Sequence, residues 1–316
     1  MPTGITTAND IPPAIRDIYM RQMLKDAKQV LVHGLFASTD TIPTRNGDGI
    51  EWYSVDDFPE VTTPLTDGVY GAPRLAVRRP ISTTLEVYGD HAKLTKRMVN
   101  TNLEDVTMNY VTKFGRQWGK TNDTLLRETL NNGLSYLNCK FGTAGTPGTL
   151  TNVTTTDLNI FVRQLVTNGA ERIASPIKAS TLVGTNPVSA SYYAYVHSDL
   201  RDDIRKMDNF QDASTYPPSK GAYDMELGRV DDVRFLETPN GSYTSGTGVF
   251  NILIVAQNSH GMASLAGSKY NIYRHGFGSA GSSDPHSMFM SLGWDAYLAS
   301  EILNQLWCGS LRCVHS

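Results

Sequence analysis

The spacing of apolar residues changes period several times along this chain, and each change predicts an element. Residues 1–14 hold Pro2, Gly4, Pro12 and Pro13 among several threonines and predict an arm without a core of its own. Over residues 14–33, Ile15, Ile18, Tyr19, Met23, Ala27, Val30 and Leu31 recur at three- and four-residue steps, the signature of one helix face. Two β-like runs follow, Ile50–Val55 and Ile81–Tyr88, with Pro59, Pro64, Gly68, Gly71 and Pro73 between them. They lie about 30 residues apart, far beyond a tight hairpin turn. A connection of that length inside a compact domain is usually functional or disordered. This one, with its flanks, carries Trp52, Tyr53, Phe58, Val69, Tyr70 and Leu75. Apolar side chains on a projecting loop need a cover, and a neighbouring subunit is the simplest one.

The longest helical pattern covers residues 103–132, where Leu103, Val106, Tyr110, Phe114, Trp118, Leu125 and Thr129 trace one stripe. Asn102 is placed to cap its start, Glu104 and Asp105 suit its positive end, and Gly133 supplies the stop. Gly115 and Gly119 weaken the middle and allow a bend. A Gly/Thr/Pro stretch over residues 142–156 precedes a second helix over Asp157–Asn168. A strand over Tyr192–His197 feeds a helix beginning near Asp199. Strands follow over Val233–Glu237 and Val249–Ala256. The closing segments, Met288–Leu306 and Leu311–Val314, read as long strands because polar residues interrupt the apolar ones in rough alternation.

The chain has 316 residues, enough for a sizeable core. Its 28 basic and 31 acidic residues leave a net charge of -3. That disfavours a primary nucleic-acid reader, which needs a basic excess for phosphate contacts, while leaving room for a local basic patch. Cys139, Cys308 and Cys313 are too few and too irregularly spaced for a disulfide framework or a zinc site, and read as plain thiols of a reducing compartment. No stretch approaches the roughly 18 apolar residues of a membrane span, and Met1–Pro13 lacks the pattern of a signal peptide.

Candidate chemistry is sparse. Gly276-Phe277-Gly278-Ser279-Ala280-Gly281 matches the dinucleotide fingerprint in letters. The last glycine of that motif must open a helix facing the pyrophosphate. Here Ser282, Ser283, Asp284 and Pro285 follow, and proline disfavours helix at the residue before it. A turn into a strand is the better reading. Gly115–Thr121 resembles a phosphate-binding loop one residue short, but it lies inside a helical stripe. No two of the seven histidines sit at metal-ligand spacing, and no nucleophile-elbow motif occurs. No catalytic, cofactor or metal site is therefore expected. Arg74, Arg78, Arg79, Lys96 and Arg97 cluster around the second β run. They are either a solvated edge that discourages wrong strand pairing or a salt-bridging surface between subunits.

Five patches carry a resemblance to a known family. Thr62-Thr63-Pro64-Leu65-Thr66-Asp67-Gly68 is similar to the "TTPLTEG" of phage capsid proteins related to that of coliphage N-four. Val87–Thr95 resembles their "QYGDYVELS", Gly278–Pro285 their "GSAGTADPL", Leu292–Ala296 their "GTVGWKA", and Ile302–Asn304 their terminal "ILN". The patches run in order from residue 62 to 304. His91 and Ala92 depart from the family pattern, residues 134–156 match none of it, and Cys308–Ser316 is private to this chain.

The resemblance implies an α+β chain with the Hong Kong 97-type fold of tailed-phage coat proteins. It places an arm and short helix at 1–40, an extended β loop at 41–95, and a peripheral domain with a spine helix at 96–180. An axial domain follows at 181–270, with a return to the peripheral domain at 271–316. It implies no enzymatic activity and no cofactor. It implies a major capsid protein forming pentamers and hexamers of an icosahedral shell around double-stranded DNA, made in the host cytoplasm and located in the virion. Copies of itself, a separate scaffolding protein, a portal and, on the inner face and non-specifically, the packaged double-stranded DNA are the expected partners, with no membrane. Trp52, Tyr53, Phe58, Tyr70, Arg78 and Arg79 are the expected subunit contacts. The rival readings are an accessory or tail protein forming a small oligomer, and a nucleotide-binding enzyme using Gly276–Gly281.

Overall fold

A computed structural model describes residues 31–45, 47–55, 58, 60–64, 73–102, 105–133, 135–142, 150–173, 189–215 and 223–315. The helix expected over 14–33 therefore falls almost wholly outside the described residues. In chain order the elements are β1 (Ser38–Ile42), β2 (Gly49–Val55), β3 (Arg78–Thr84), β4 (Glu86–Thr95), α1 (Lys96–Thr101), α2 (Val106–Gly133), β5 (Tyr136–Asn138) and α3 (Thr155–Thr167). There follow β6 (Tyr192–His197), α4 (Arg201–Arg205), β7 (Phe210–Asp212), β8 (Glu226–Val230), β9 (Val233–Thr238), β10 (Ser242–Thr244) and β11 (Val249–Val255). The chain closes with β12 (His260–Leu265), β13 (Asn271–His275), β14 (Phe289–Ile302) and β15 (Cys308–Val314).

Among the described residues these strands form three sheets. The first is organised around β14. One edge of β14 pairs along ten residues with β4, from Phe289↔Thr95 to Leu298↔Glu86. Its other edge takes β13 and then β12, and β12 carries β1 in parallel. The alternation in β14 explains its place: Met290, Leu292, Trp294, Ala296 and Leu298 all point to one buried face, the period of a half-buried strand. Helix α2 lies on that face, with Val111, Phe114 and Trp118 in the same cluster. At 28 residues it is about 42 Å long, and it runs unbroken through Gly115 and Gly119 to Gly133.

The second sheet has the order β5-β15-β11-β6-β9-β8-β7, with β10 on β11. Its centre, Tyr192-Tyr193-Ala194-Tyr195-Val196, is buried on both faces, so it reads as a continuous apolar run and not an alternating one. Helix α3 covers one face through Leu158, Phe161 and Leu165. Its start is held by Thr154, whose Oγ accepts the Asp157 amide N–H at 3.3 Å, while the Thr154 hydroxyl donates to the Asp157 carboxylate at 2.6 Å. Gly309 of β15 is required under this helix, because a Cβ there would lie 2.5 Å from the Phe161 ring. A third apolar cluster, including Val32, Leu130, Tyr193, Tyr195, Leu253 and Ile302, joins the two large sheets. The three cysteines are buried free thiols, and burial pushes Cys308 up to about 12.

Two expectations need correction. Asn102 does not cap α2; its N–H instead closes α1 on the Met98 carbonyl at 3.3 Å. The α2 cap is Asp105, whose carboxylate accepts the Thr107 and Met108 N–H groups at 3.0 and 3.2 Å. The run Ile81–Tyr88 is two strands, not one. The chain leaves the ladder at Leu85, so β3 pairs with β2 and β4 pairs with β14. The Gly276–Gly281 segment is the turn that its sequence suggests. Gly278 and Gly281 have φ of +86° and +56°, and a single 3-10 turn over Gly281–Ser283 leads on to β14.

Candidate subunit-contact surface

The third sheet is a two-stranded antiparallel ribbon of β2 and β3, with Gly49 opposite Thr84 at its base and Val55 opposite Arg78 at its outer end. Two strands alone are marginal in water, and this ribbon is tied to the body at Trp52. The Trp52 indole N–H donates to the Asp40 carboxylate on β1, and its ring lies over Gly261 of β12, where a Cβ would sit 3.1 Å away. Beyond that anchor the apolar side chains turn outward. Tyr53, Val55, Phe58, Val61, Leu75 and Val77 are all more than half exposed, Leu75 at 88%. Single exposed hydrophobic residues are ordinary, but six within one projecting segment form a patch that calls for a cover.

Each expected contact residue has a definite place. Trp52 is half-buried against its own chain. Tyr53 is exposed, and its hydroxyl donates to the Glu51 carboxylate at 2.6 Å. That hydrogen bond, with the Glu51 charge, raises the phenol above its usual range. Phe58 is exposed just past the end of β2. Arg78 and Arg79 are exposed on β3, across from Val55 and Ser54. Tyr70 lies outside the described residues. Sequence reasoning missed the contribution of Val61 and Val77, whose exposure follows only from where the ribbon leaves the body.

It also missed a buried polar centre that ties residues 32–33 to α2. Asp123 of α2 is fully buried. One carboxylate oxygen accepts the backbone N–H groups of Val32 and His33, both at 2.8 Å. The other accepts the His33 Nδ1–H at 2.9 Å and the Asn240 amide at 2.8 Å. Arg127 in turn donates to the Asn240 carbonyl and side-chain oxygens at 3.1 and 2.9 Å. Burial raises the Asp123 carboxyl, but the His33 and Asn240 contacts outweigh it and hold the group below its ordinary value. The His33 carbonyl accepts from the Tyr195 hydroxyl at 3.1 Å and from His260 Nε2–H at 3.3 Å. A carboxylate on the apolar stripe of a long helix was the available signal for this centre.

His260 is buried, and desolvation lowers it from 6.5 to about 4. Its folded pKa lies below the unfolded one, so folding favours the neutral ring. The stability this contributes is present above about pH 6.5 and is lost as pH falls towards 4, roughly 3 kcal/mol in all. The Asp123 carboxylate adds a loss of the same sign at still lower pH. Urea unfolding of the subunit at pH 7 and pH 4.5 is expected to show a loss on the order of 2–3 kcal/mol in the parent that is largely removed in His260→Gln. Equal losses in the two proteins would contradict this assignment.

No family model matches the chain, and no curated protein matches it. Solved structures do. The capsid of Ralstonia phage GP4 superposes with a TM-score of 0.66 at 10% identity, covering 90% of this chain and 88% of that one. The capsid of the cyanophage P-SCSP1u gives 0.62 at 12% identity over 91% and 89%. The cyanophage Pam1 capsid gives 0.58 at 14% identity over 86% of each chain. The chain thus has the α+β fold of phage capsid proteins, the Hong Kong 97-type fold.

Proposed function

We propose that this chain is a major capsid protein whose copies form the pentamers and hexamers of an icosahedral shell enclosing double-stranded DNA. The observation that carries this is the ribbon: a chain with a capsid fold holds out an apolar surface that its own body leaves uncovered. A neighbouring copy is the cover that fits, because heterologous contacts of one loop on the next subunit close into rings. On this reading Tyr53, Phe58, Tyr70, Arg78 and Arg79 lie at the contact, and Trp52 anchors the ribbon that presents them. We place the peripheral domain on α2 and the sheet around β14, and the axial domain on the sheet around β6 and β11; β5, α3 and β15, which fall in the ranges expected for the peripheral domain, pack with the second sheet. The role is structural, in the virion, after assembly in the host cytoplasm with a separate scaffolding protein and a portal.

Gradient sedimentation of the expressed chain, with and without the candidate scaffolding protein, tests this. Material sedimenting far faster than a 34.7 kDa chain is expected. A slow monomer or dimer peak under every condition would contradict it.

A further inference from the structure

The face of α2 opposite the core carries an unbalanced charge. Lys113, Arg116 and Lys120 are exposed, three and four residues apart, and so share one side of the helix. The other side is fixed: Val111, Phe114 and Trp118 are buried in the cluster that includes Leu292 and Trp294 of β14. The three cations therefore cannot turn inward. From Val106 to Asn122 the helix contains no acidic residue, although the chain as a whole is net acidic. Among the described residues the nearest carboxylates in sequence or contact have other partners: Asp105 in the helix cap, Asp90 with the Gln117 amide at 2.6 Å, Glu128 with Arg127, and Asp123 in the buried centre. None of the three cations makes an ion pair among the described residues; Lys113 only lies 5.6 Å over the Tyr110 ring. The Asp90 carboxylate on Gln117 brings one negative charge to the edge of this face, which keeps an excess of positive charge.

We infer that this face of α2 is where the shell wall meets the packaged duplex, with Lys113, Arg116 and Lys120 each neutralising a backbone phosphate. The inference rests on the capsid reading, which supplies the DNA. Helix geometry sets the cations about 4.5 and 6 Å apart along the axis. A duplex carries one charge per about 1.7 Å of its axis, so three phosphates are within reach at once. The contact reads no sequence, since point charges on phosphates position a duplex without specifying it. Three contacts per copy are weak alone and additive over a shell, which suits a wall that contains DNA without gripping it.

The test is fluorescence anisotropy of the purified full chain on a mixed-sequence duplex of about 30 base pairs, from 50 to 200 mM salt. The variant Lys113→Gln/Arg116→Gln/Lys120→Gln is compared with a control, Lys140→Gln/Arg163→Gln/Lys206→Gln, which removes three exposed cations from elsewhere. The helix variant is expected to flatten the log–log salt slope by about 2.7, so that the roughly 40-fold part of the salt sensitivity due to this face disappears. The control is expected to keep the parent slope. Equal slopes in the two variants, or parent slope in the helix variant, would overturn the inference. Tighter binding of polyglutamate than of duplex, lost in the helix variant, would overturn it in favour of an acidic protein segment. Sedimentation of the same variants separates the two levels. Fast particles with an unchanged DNA slope sink only this inference, whereas no particles from the parent chain sink the capsid reading beneath it.

Discussion

Replacing Asp123 by alanine is expected to cost the subunit about 4 kcal/mol of unfolding free energy, near the upper end for a single substitution. The carboxylate receives four donors: the N–H groups of Val32 and His33, His33 Nδ1–H, and the Asn240 amide. Its removal leaves the Val32 and His33 N–H groups and the His33 Nδ1–H buried without that acceptor, at about 1–3 kcal/mol each before the site relaxes, while the Asn240 amide keeps the Thr124 hydroxyl at 3.2 Å. It also frees the backbone of residues 32–33 from α2. Asp123→Asn keeps an acceptor for the two backbone N–H groups but turns an amide donor towards His33 and Asn240, so a loss of about half that size is expected. Denaturant unfolding of the unassembled subunit measures both. A loss under about 1 kcal/mol for the alanine variant would show that the centre is not what holds residues 32–33 to α2.

The second large effect concerns assembly and leaves the subunit intact. Tyr53→Ser, Phe58→Ser and Leu75→Ser combined are expected to leave the subunit's stability within about 0.5 kcal/mol per site, because all three side chains are exposed in the single chain. If a neighbour covers them, each contributes about 1.5 kcal/mol or more on burial. Together they then shift the subunit association constant by about a thousandfold. Particle yield is expected to collapse while the thermal midpoint stays near that of the parent. Particles at parent yield would mean that the ribbon's apolar side chains face solvent in the shell as well.

Much of this fold was legible where a single period governs a segment. Tyr192–His197 and β11 read as strands because each is a near-continuous apolar run, and β14 because apolar and polar residues alternate along it. The first half of α2 was legible through Val106, Phe114 and Trp118. Its second half was legible as helix, but the buried stripe there was not. Its buried face continues through Asn122, Asp123, Leu126 and Leu130, while Leu125 and Thr129 sit at its margin. Two polar residues inside the stripe, Asn122 and Asp123, shift the apparent pattern by one step, and Asp123 is polar because it binds the backbone of residues 32–33. The division of Ile81–Tyr88 into β3 and β4 was hidden because both halves have strand composition; only tertiary pairing separates them at Leu85. Strands β1 and β12 are short and pair in parallel, so no local turn announces them. At the candidate site, Tyr53, Phe58, Arg78 and Arg79 were legible as exposed residues of a projecting loop. The burial of Trp52 against Asp40 and Gly261 was not, since those partners are remote in sequence.

Electron microscopy of the fast-sedimenting fraction tests the central claim most directly. The account predicts rings, tubes or closed shells of regular curvature, built from five- and six-fold clusters, with the β2–β3 ribbon of each copy lying over its neighbour. Discrete small oligomers with both ribbon strands in solvent, whether or not a scaffolding protein is present, would contradict it.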